Sequence, residues 1–377
     1  MTPIEISARL AAEVLEPMKR TFVGKDEVID LLGICLVGGE NLFILGPPGT
    51  AKSALVHQLA ARMEGRTFDY LLTRFTEPNE LFGPFDIRKL REGELQTNTE
   101  GMLPEASLVF LDELLNANSA ILNSLLVALN ERVFRRGKET RQLAALMFVG
   151  ASNHLPEDDA LQALFDRFLL RVHCDNVPGE RLPDVLTAGW KLATERTAKS
   201  ALHFDDLRAV QSALGAVELA SVRQPFAELV HRIRHAGIPV SDRRAVKLQR
   251  VVAASALLAG RKEARLSDLW VVRHIWDTEE QQEVLASLVD QAISKQTADG
   301  ADHPRARSTD GPDVESLARD LDAIAESLKN GELPEVERSY LRDRLGILEG
   351  RCQWVKDSTR REWLLKRVGE QWPALRT

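Results

Sequence analysis

The chain has 377 residues, which at roughly 150 residues per domain predicts two or three domains. Apolar residues make up 44% and charged residues 28%, a globular composition that excludes a disordered, collagen-like or disulfide-scaffold protein. The net charge of −7, from 49 basic and 56 acidic residues, argues against a protein that coats nucleic acid by bulk charge.

Features of membrane and secreted proteins are not visible in the sequence. The longest apolar runs, such as Leu143–Gly150, are too short to cross a bilayer, and no basic segment followed by an apolar core opens the chain. Cys35, Cys174 and Cys352 stand far apart without metal-ligand spacing, which is typical of buried thiols in a reduced compartment. We therefore expect a cytoplasmic protein.

Five short apolar segments in the first half of the chain have the length of buried strands. They are Asn41–Gly46, Phe68–Thr73, Ser107–Asp112, Ala144–Ala151 and Phe168–His173. Leucines at helical spacing, such as Leu55 and Leu59, lie between them. Strands that alternate with helices predict an α/β domain over residues 1–180, with a parallel sheet covered by helices on both faces.

The rest of the chain predicts helical structure. Helical patterns dominate residues 181–297, which predict a second, all-helical domain, called the lid from here on. Residues 298–312 contain two glycines and two prolines and almost no large apolar side chain, which predicts a linker. Residues 313–377 predict three amphipathic helices with short turns at 329–333 and 350–357, packed as an antiparallel bundle. Their apolar positions are Leu317, Leu321, Ile324, Leu328, Leu341, Leu345, Leu348, Leu364, Val368 and Trp372.

A glycine-rich turn follows the first predicted strand and nearly matches the phosphate-binding pattern G-x-x-x-x-G-K-[ST]. Small residues let backbone N–H groups face the phosphates, Lys52 reaches the β- and γ-phosphates, and the Ser53 hydroxyl holds Mg²⁺ at a helix N-terminus. Ala51 replaces the second glycine of the pattern. Alanine tolerates right-handed helical angles, so the loop should keep its shape if Ala51 is right-handed. The alternative is a structural turn with an incidental lysine. The predicted nucleotide-binding residues are Gly46, Pro47, Pro48, Gly49, Thr50, Ala51, Lys52, Ser53 and Ala54.

Two carboxylates end the third predicted strand. Asp112, at the carboxyl end of a strand beside a phosphate loop, is placed to order Mg²⁺. The adjacent Glu113 can act as general base toward the attacking water. By themselves they are typical of a strand followed by an acidic helix cap, but together with Lys52 they predict a nucleotide hydrolase. No [NT]-K-x-D sequence for guanine occurs, which favours ATP.

The order of these motifs resembles the AAA+ ATPases, and within them the MoxR family and its RavA subgroup, over residues 22–297. Residues 22–28 resemble the segment around the adenine, which adds Val23 and Gly24 to the nucleotide site. Residues 75–84 and 101–106 resemble the flanks of the family's helix-2 insert, and residues 116–132 the helix after the acidic strand. The resemblance implies catalytic roles for Asn153 as sensor 1, Arg167 as arginine finger and Arg243 as sensor 2, beside Lys52 and Glu113.

The residues themselves add a physical argument for these roles. Asn153 ends an apolar strand, where a neutral amide can hydrogen-bond the attacking water or the γ-phosphate. Arg167 lies between two phenylalanines, so we expect its charged end to point out of the apolar core. A guanidinium that reaches a neighbour's γ-phosphate would stabilise the transition state of hydrolysis. Arg171 is an open alternative for the finger. We expect Arg244 to be a solvated helix residue.

Charged turns and a basic stretch have other interpretations. Residues 133–143 predict a β-hairpin around Gly137, and residues 91–97 predict another. Such hairpins line the axial pore in the family, so that Arg135, Arg136 and Lys138 are candidates for partner contact, although ordinary exposed charges are equally consistent. His231 and His235 have an i, i+4 spacing, but no third metal ligand accompanies them. We interpret the basic residues 231–250 as the lid face around the nucleotide.

The sequence therefore predicts a Mg²⁺-dependent ATPase. By resemblance it forms a ring, expected to be a hexamer, that remodels or assembles protein complexes in the manner of a chaperone, with a von Willebrand factor A-domain protein as partner. The alternatives are an ATP-driven nucleic-acid motor and a scaffold that binds nucleotide with little turnover. Asp112, Glu113 and Asn153 argue against the scaffold. RavA-like proteins interrupt their C-terminal helices with a β-rich insert, for which the short turns here leave no room.

Overall fold

The computed structural model describes residues 1–156, 158–194, 200, 202–294, 302–306, 314–329, 335–353, 355 and 358–376. Within these ranges, none of the helices combines the length and apolar character that a bilayer crossing requires. All three cysteines are buried, as expected.

A five-stranded parallel sheet forms the centre of the first domain, and a separate antiparallel hairpin accompanies it. The strands are β1 (Leu42–Leu45), β2 (Thr67–Leu71), β3 (Leu108–Asp112), β4 (Val133–Arg136), β5 (Glu139–Gln142), β6 (Met147–Ser152) and β7 (Leu170–His173). The sheet has the order β2-β3-β6-β1-β7. Every residue of β1 and β6 is buried, so both faces of the sheet's centre are covered. All five predicted sheet strands are confirmed.

The parallel pairing defines two edges of this sheet. In register, Leu45 of β1 lies beside Ser152 of β6 and His173 of β7. The chain therefore leaves these strands at one edge, here called the carboxyl edge, and enters them at the opposite amino edge. Ligands of open α/β sheets bind beyond the carboxyl ends of the strands.

Helices surround the sheet and form the second domain. The first helices are α1 (Pro3–Arg9), a π-helical turn (Leu10–Leu15), α2 (Glu16–Thr21), α3 (Asp26–Gly38), α4 (Lys52–Arg62), α5 (Pro78–Phe82), α6 (Ile87–Arg91), α7 (Ser119–Glu131), α8 (Asp159–Phe165), α9 (Leu182–Thr194) and α10 (Phe204–Ala213). Then follow α11 (Ala220–His235), α12 (Asp242–Leu258) and α13 (Gln281–Ile293). Short 3₁₀ turns lie at Leu103–Glu105, Leu114–Asn116, Gly179–Arg181, Leu214–Ala216, Leu266–His274 and Pro304–Ala306.

The lid and the sheet domain share one hydrophobic core, which runs through α11 to α13. Helix α12 packs closely on α3, because a Cβ atom added to Gly38 would lie 3.3 Å from Cγ1 of Val251. The side chains of Trp270 and Trp276 are almost completely buried in this core.

Three C-terminal helices have a core of their own. They are α14 (Val314–Lys329), α15 (Glu335–Gln353) and α16 (Ser358–Arg376). Leu321, Leu345 and Leu364 are fully buried among them, and this cluster is separate from the main core. The predicted helical bundle is confirmed. The prediction that the second turn begins at residue 350 was wrong, because helix α15 continues through Gln353.

Part of the predicted linker packs against the main core instead of lying in solvent. Within 298–312 the structure describes residues 302–306, and the other positions of this prediction lie outside the described residues. His303 is buried and its ring stacks on Trp270 with 4.8 Å between centroids. Nε of Arg305 donates to Oδ2 of Asp30 at 3.0 Å. The domain boundaries themselves stay predictions.

One predicted hairpin is confirmed and the other was wrong. Strands β4 and β5 pair in antiparallel register as expected. The segment 91–97 forms no hairpin, because the Asp86 side chain caps α6 by accepting from the Arg88 and Lys89 amides, and this helix runs to Arg91. A single bridge between Phe85 and Thr97 closes the segment.

Candidate nucleotide site

The phosphate loop leaves β1 at the carboxyl edge and enters α4. The Gly46 amide donates to the Ser152 carbonyl at 3.1 Å, and a Cβ atom at Gly46 would lie 2.3 Å from the Cys174 carbonyl oxygen, so glycine is required here. Gly49 has φ of +82°, and no atom lies within 4 Å of where its Cβ would be. The loop is therefore fixed against the sheet on one side and open on the other.

Ala51 is left-handed, with φ of 73° and ψ of 19°, so the right-handed conformation on which the prediction for the loop depended does not occur. It is the N-cap of α4, at the position where the phosphate-loop pattern has glycine. The chain changes direction at this position before the helix begins. This turn requires left-handed backbone angles, whichever side chain the residue carries. The left-handed conformation costs an L-residue about 1–2 kcal/mol.

Three predicted catalytic side chains form one hydrogen-bonded chain. Nζ of Lys52 donates to the Gly46 carbonyl at 2.5 Å, to the Pro47 carbonyl at 3.0 Å and to Oδ1 of Asn153 at 2.7 Å. The other end of the Asn153 amide donates to Oε1 of Glu113. The amide thus bridges the loop's cation and the carboxylate predicted to be the general base.

The two predicted metal ligands are also in contact. The Ser53 hydroxyl donates to Oδ2 of Asp112 at 2.7 Å. Asp112 ends β3, and its other oxygen accepts from the Glu113 amide at 3.0 Å. A hydroxyl and a carboxylate are oxygen ligands of the kind Mg²⁺ prefers, so these residues fit the metal that the phosphate loop implies.

The predicted adenine segment lies next to the chain that leaves β7. Gly24 has φ of +71°, and a Cβ atom there would lie 2.9 Å from Cγ1 of Val177. The Cys174 thiol donates to the Thr50 carbonyl at 3.1 Å, and burial raises the pKa of this thiol. Val23 and Gly24 are therefore held beside the same short segment that supports the phosphate loop.

Arg167 and Arg243 lie at the amino edge, away from their own phosphate loop. The carbonyl of Arg167, just before β7, accepts from Nδ2 of Asn41, just before β1. Both arginines line a cleft of about 510 Å³ with residues of α7, α8 and α12. Among the described residues neither guanidinium has an ion-pair partner, and the buried Nε of Arg167 has no hydrogen-bond partner.

The lid face does not surround the nucleotide of its own chain, contrary to expectation. Nζ of Lys247 lies 3.1 Å from Oε2 of Glu40, and Nε of Arg250 donates to the Gly38 carbonyl at 3.0 Å. Gly38 and Glu40 precede β1. Helix α12 therefore covers the amino edge.

Arg171 and Arg244 are held by the protein. Nη1 of Arg171 lies 2.8 Å from Oδ1 of Asp277, and its side chain is completely buried. Burial lowers the pKa of Arg171 to about 9, so it stays cationic at neutral pH. A buried side chain cannot reach a neighbouring chain, which removes the argument for Arg171 as the finger. The expectation that Arg244 is solvated was wrong, because its guanidinium pairs with Asp277 at 3.3 Å and its Nη2 donates to the Ile275 carbonyl at 2.6 Å.

Comparison with known proteins identifies the family of the chain. Residues 8–212 match the family model described as the MoxR domain in the MoxR-vWA-beta-propeller ternary systems, and residues 219–289 match that of an AAA lid domain. The first match alone covers more than half of the chain. The chain belongs to the MoxR family of AAA+ ATPases.

Relatives of this MoxR chain include an uncharacterised protein and one that is named a chaperone. An uncharacterised protein of Methanocaldococcus jannaschii is 35% identical over 267 residues, which is 70% of each chain. Chaperone MoxR1 of Mycobacterium tuberculosis is 27% identical over 175 residues, or 44% of this chain and 45% of that protein. A candidate ATPase from Cytophaga hutchinsonii, known by its crystal structure, has a TM-score of 0.63 over 78% of this chain and 96% of its own at 19% identity, which shows a common fold. The RavA subgroup stays a prediction.

Asp277 is the residue of this MoxR chain that the sequence motifs missed. It lies in no recognised pattern, and its partner Arg171 lies in a strand far from it in sequence. One signal was present: Arg171 is a charged residue within the apolar segment 168–173, and a charge in a buried strand requires a partner. The sequence does not show where that partner is.

Proposed function

We propose that this MoxR protein hydrolyses Mg·ATP at the carboxyl edge of its sheet and uses the cycle to remodel or assemble protein complexes. The observation that carries the proposal is the hydrogen-bonded chain Lys52–Asn153–Glu113 beside the Ser53–Asp112 pair. These groups converge at the mouth of an open phosphate loop. The arrangement suits phosphoryl transfer, in which positioning and charge stabilisation supply the catalysis.

Each side chain has a separate task in this proposal. Lys52 neutralises charge on the β- and γ-phosphates, and Ser53 and Asp112 would hold the Mg²⁺. The metal, when bound, neutralises phosphate charge that grows in the transition state. Glu113 accepts the proton of the attacking water. Asn153 binds this carboxylate with one end of its amide and Lys52 with the other. It therefore fixes the position of the general base relative to the cation.

Completion of the site requires a second copy of the chain. Arg167 and Arg243 lie at the edge opposite to their own phosphate loop and carry no ion pair among the described residues. In a head-to-tail ring, which we expect to be a hexamer, the amino edge of one chain faces the carboxyl edge of the next. Both guanidinium groups then meet a neighbour's γ-phosphate, where they stabilise the transition state.

A protein partner fits this MoxR chain better than nucleic acid. The matched family model is named for systems that include a von Willebrand factor A-domain protein, and the Mycobacterium relative is named a chaperone. Two exposed residues of the β4–β5 hairpin, Lys138 and Arg135, are those that we propose for contact; Arg135 pairs with Glu131 at 2.6 Å on the surface. Arg136 is less exposed and donates to the Gly83 carbonyl at 2.9 Å. We place the protein in the cytoplasm and near the RavA subgroup.

Mixing two inactive variants tests the trans site. Lys52→Ala removes the phosphate site of its own chain, and Arg167→Ala removes the finger that it offers to the next. Each alone should be inactive. In random 1:1 rings about one quarter of the interfaces join an intact site to an intact finger, so about a quarter of the wild-type activity should return.

The matched control is a mixture of Lys52→Ala with Glu113→Gln. Both changes disable the same edge, so no interface is intact and no activity should return. If Lys52→Ala and Arg167→Ala are shown to co-assemble and still recover nothing, the trans arrangement is wrong. ATP turnover measured with a von Willebrand factor A-domain protein, single-stranded DNA and duplex DNA then tests the partner. Stimulation by DNA alone would overturn the protein-remodelling role.

A further inference from the structure

We infer that Asp277 is a positioning residue for the trans site. It holds the buried Arg171 of the sheet and Arg244 of the lid in one ion-pair network, and this network fixes Arg167 and Arg243 relative to each other. The inference rests on the proposed trans role of those two arginines. It adds a residue that lies in no motif of the chain and contacts no phosphate itself.

The network joins two domains through a single carboxylate and a single carbonyl. Oδ1 of Asp277 lies 2.8 Å from Nη1 of Arg171, and both Asp277 oxygens lie 3.3 Å from Nη1 of Arg244. The Ile275 carbonyl accepts from Arg171 at 3.1 Å and from Arg244 at 2.6 Å. Asp277 therefore supplies the negative charge that lets two guanidinium groups share one carbonyl oxygen.

On the sheet side, the network reaches the finger through the turn before it. Nη2 of Arg171 donates to the Phe165 carbonyl at 3.3 Å and lies 3.7 Å from Oδ1 of Asp166. The Arg171 guanidinium also lies over the Phe165 ring, 4.3 Å from its centroid. Phe165 and Asp166 directly precede Arg167, so Arg171 holds the segment from which the finger projects.

On the lid side, the network reaches Arg243 through its neighbour in α12. The Ser241 hydroxyl caps this helix by accepting from the Arg244 amide at 3.1 Å. Consecutive residues of a helix point about 100° apart, so anchoring Arg244 inward on Asp277 turns Arg243 outward. Arg243 is exposed there and lines the cleft.

The basic side chains around the cleft are of two kinds: some form ion pairs within the described part of the chain and others do not. Its basic side chains are Arg167, Arg243, Arg244 and Lys247. Arg244 is paired with Asp277 and Lys247 with Glu40, whereas Arg167 and Arg243 have no ion pair within the described part of the chain. Two positive charges are thus left for an anion from outside, and the spacing between them depends on how the lid is fixed to β7.

The test is Asp277→Asn, which keeps the shape of the side chain and removes its charge. ATP affinity should stay unchanged, since the Asp277 carboxylate pairs with Arg171 and Arg244, neither of which belongs to the phosphate loop. The turnover number should fall about 10- to 100-fold, as for a displaced catalytic group. Mixing with Lys52→Ala should restore turnover, because the Lys52→Ala chain offers an intact amino edge. Mixing with Arg167→Ala should restore nothing, because both changes damage the same edge.

Arg244→Gln provides a second variant, because Asp277→Asn leaves a buried cation without its partner and can impair folding. Arg244 is the outer member of the network, and its loss leaves the Arg171–Asp277 pair intact. The same mixing pattern is expected. Arg250→Gln, on α12 but directed at Gly38, is the matched control and should keep wild-type turnover.

Three results would overturn the inference. One is wild-type turnover by both Asp277→Asn and Arg244→Gln. Another is that ATP turnover recovers when Arg167→Ala is mixed with Lys52→Ala, but not when Asp277→Asn or Arg244→Gln is mixed with Lys52→Ala. Asp277 would then act on the site of its own subunit, and the proposed function would still hold. The third is absence of recovery in every mixture, which would remove the trans site itself and this inference with it.

Discussion

Replacing Ala51 by glycine should stabilise the protein or leave its stability unchanged, although glycine destabilises the interior of a helix. The left-handed angles of Ala51 cost about 1–2 kcal/mol, which glycine does not pay. Glycine also gains about 0.4–1 kcal/mol of freedom in the unfolded chain, which works against the change. The net effect is a gain of about 0–1.5 kcal/mol in the free energy of unfolding.

Ala60→Gly is the matched control within the same helix. Ala60 lies inside α4, packs against the core and has no strain to relieve. Its replacement should lower the free energy of unfolding by about 1 kcal/mol or more. Denaturant titrations followed by circular dichroism should therefore give free energies of unfolding that differ by about 1–2.5 kcal/mol between the two variants, with Ala51→Gly the more stable. Equal losses of stability for Ala51→Gly and Ala60→Gly would mean that Ala51 is right-handed in solution, in contradiction to its left-handed angles in the structure.

Three further expectations concern binding, pH and the C-terminal bundle. Lys52→Ala should weaken ATP binding measured by calorimetry, because it removes the cation that reaches the β- and γ-phosphates; unchanged affinity would contradict the site. Burial lowers the pKa values of His274 and His303 below their ordinary 6.5, so the unfolded chain binds more protons than the folded one below that pH. The free energy of unfolding should therefore fall as the pH drops below about 6.5, and a flat profile between pH 7.5 and 5.5 would contradict the burial of both rings. Deleting residues 313–377 should leave a folded core that hydrolyses ATP, because the C-terminal bundle has its own hydrophobic cluster. Insolubility of the shortened chain would contradict this expectation. Loss of partner binding without loss of ATP hydrolysis would identify the bundle as a docking arm.

Much of the fold could be predicted because its signals are local. Short apolar runs such as residues 107–112, separated by segments of helical periodicity, are typical of the buried strands of a parallel sheet. The C-terminal helices follow in the same way from the spacing of their leucines. The phosphate loop and the acidic strand end were recognisable because each needs particular residue types at fixed spacing.

Local signals failed where a distant contact or a backbone angle decided the structure. The handedness of Ala51 follows from how the loop closes on the sheet and not from the preference of alanine. The segment 91–97 has a plausible turn sequence, but the cap at Asp86 favoured a helix before it. The pairing of Arg171 with Asp277 joins residues from two domains that are far apart in the sequence. For the same reason no pattern along the chain distinguishes Arg244, which pairs with Asp277, from Arg243, which has no ion pair among the described residues.

The most direct test of the central claim is ATP turnover by Glu113→Gln with Mg·ATP binding measured on the same preparation. The amide keeps the size of the side chain but cannot accept the water's proton. The proposed mechanism predicts wild-type affinity for Mg·ATP and a turnover number about 10²- to 10⁴-fold lower than that of the wild-type protein. Turnover by Glu113→Gln at the wild-type rate would contradict the mechanism, because the Lys52–Asn153–Glu113 chain would then not be the hydrolytic site.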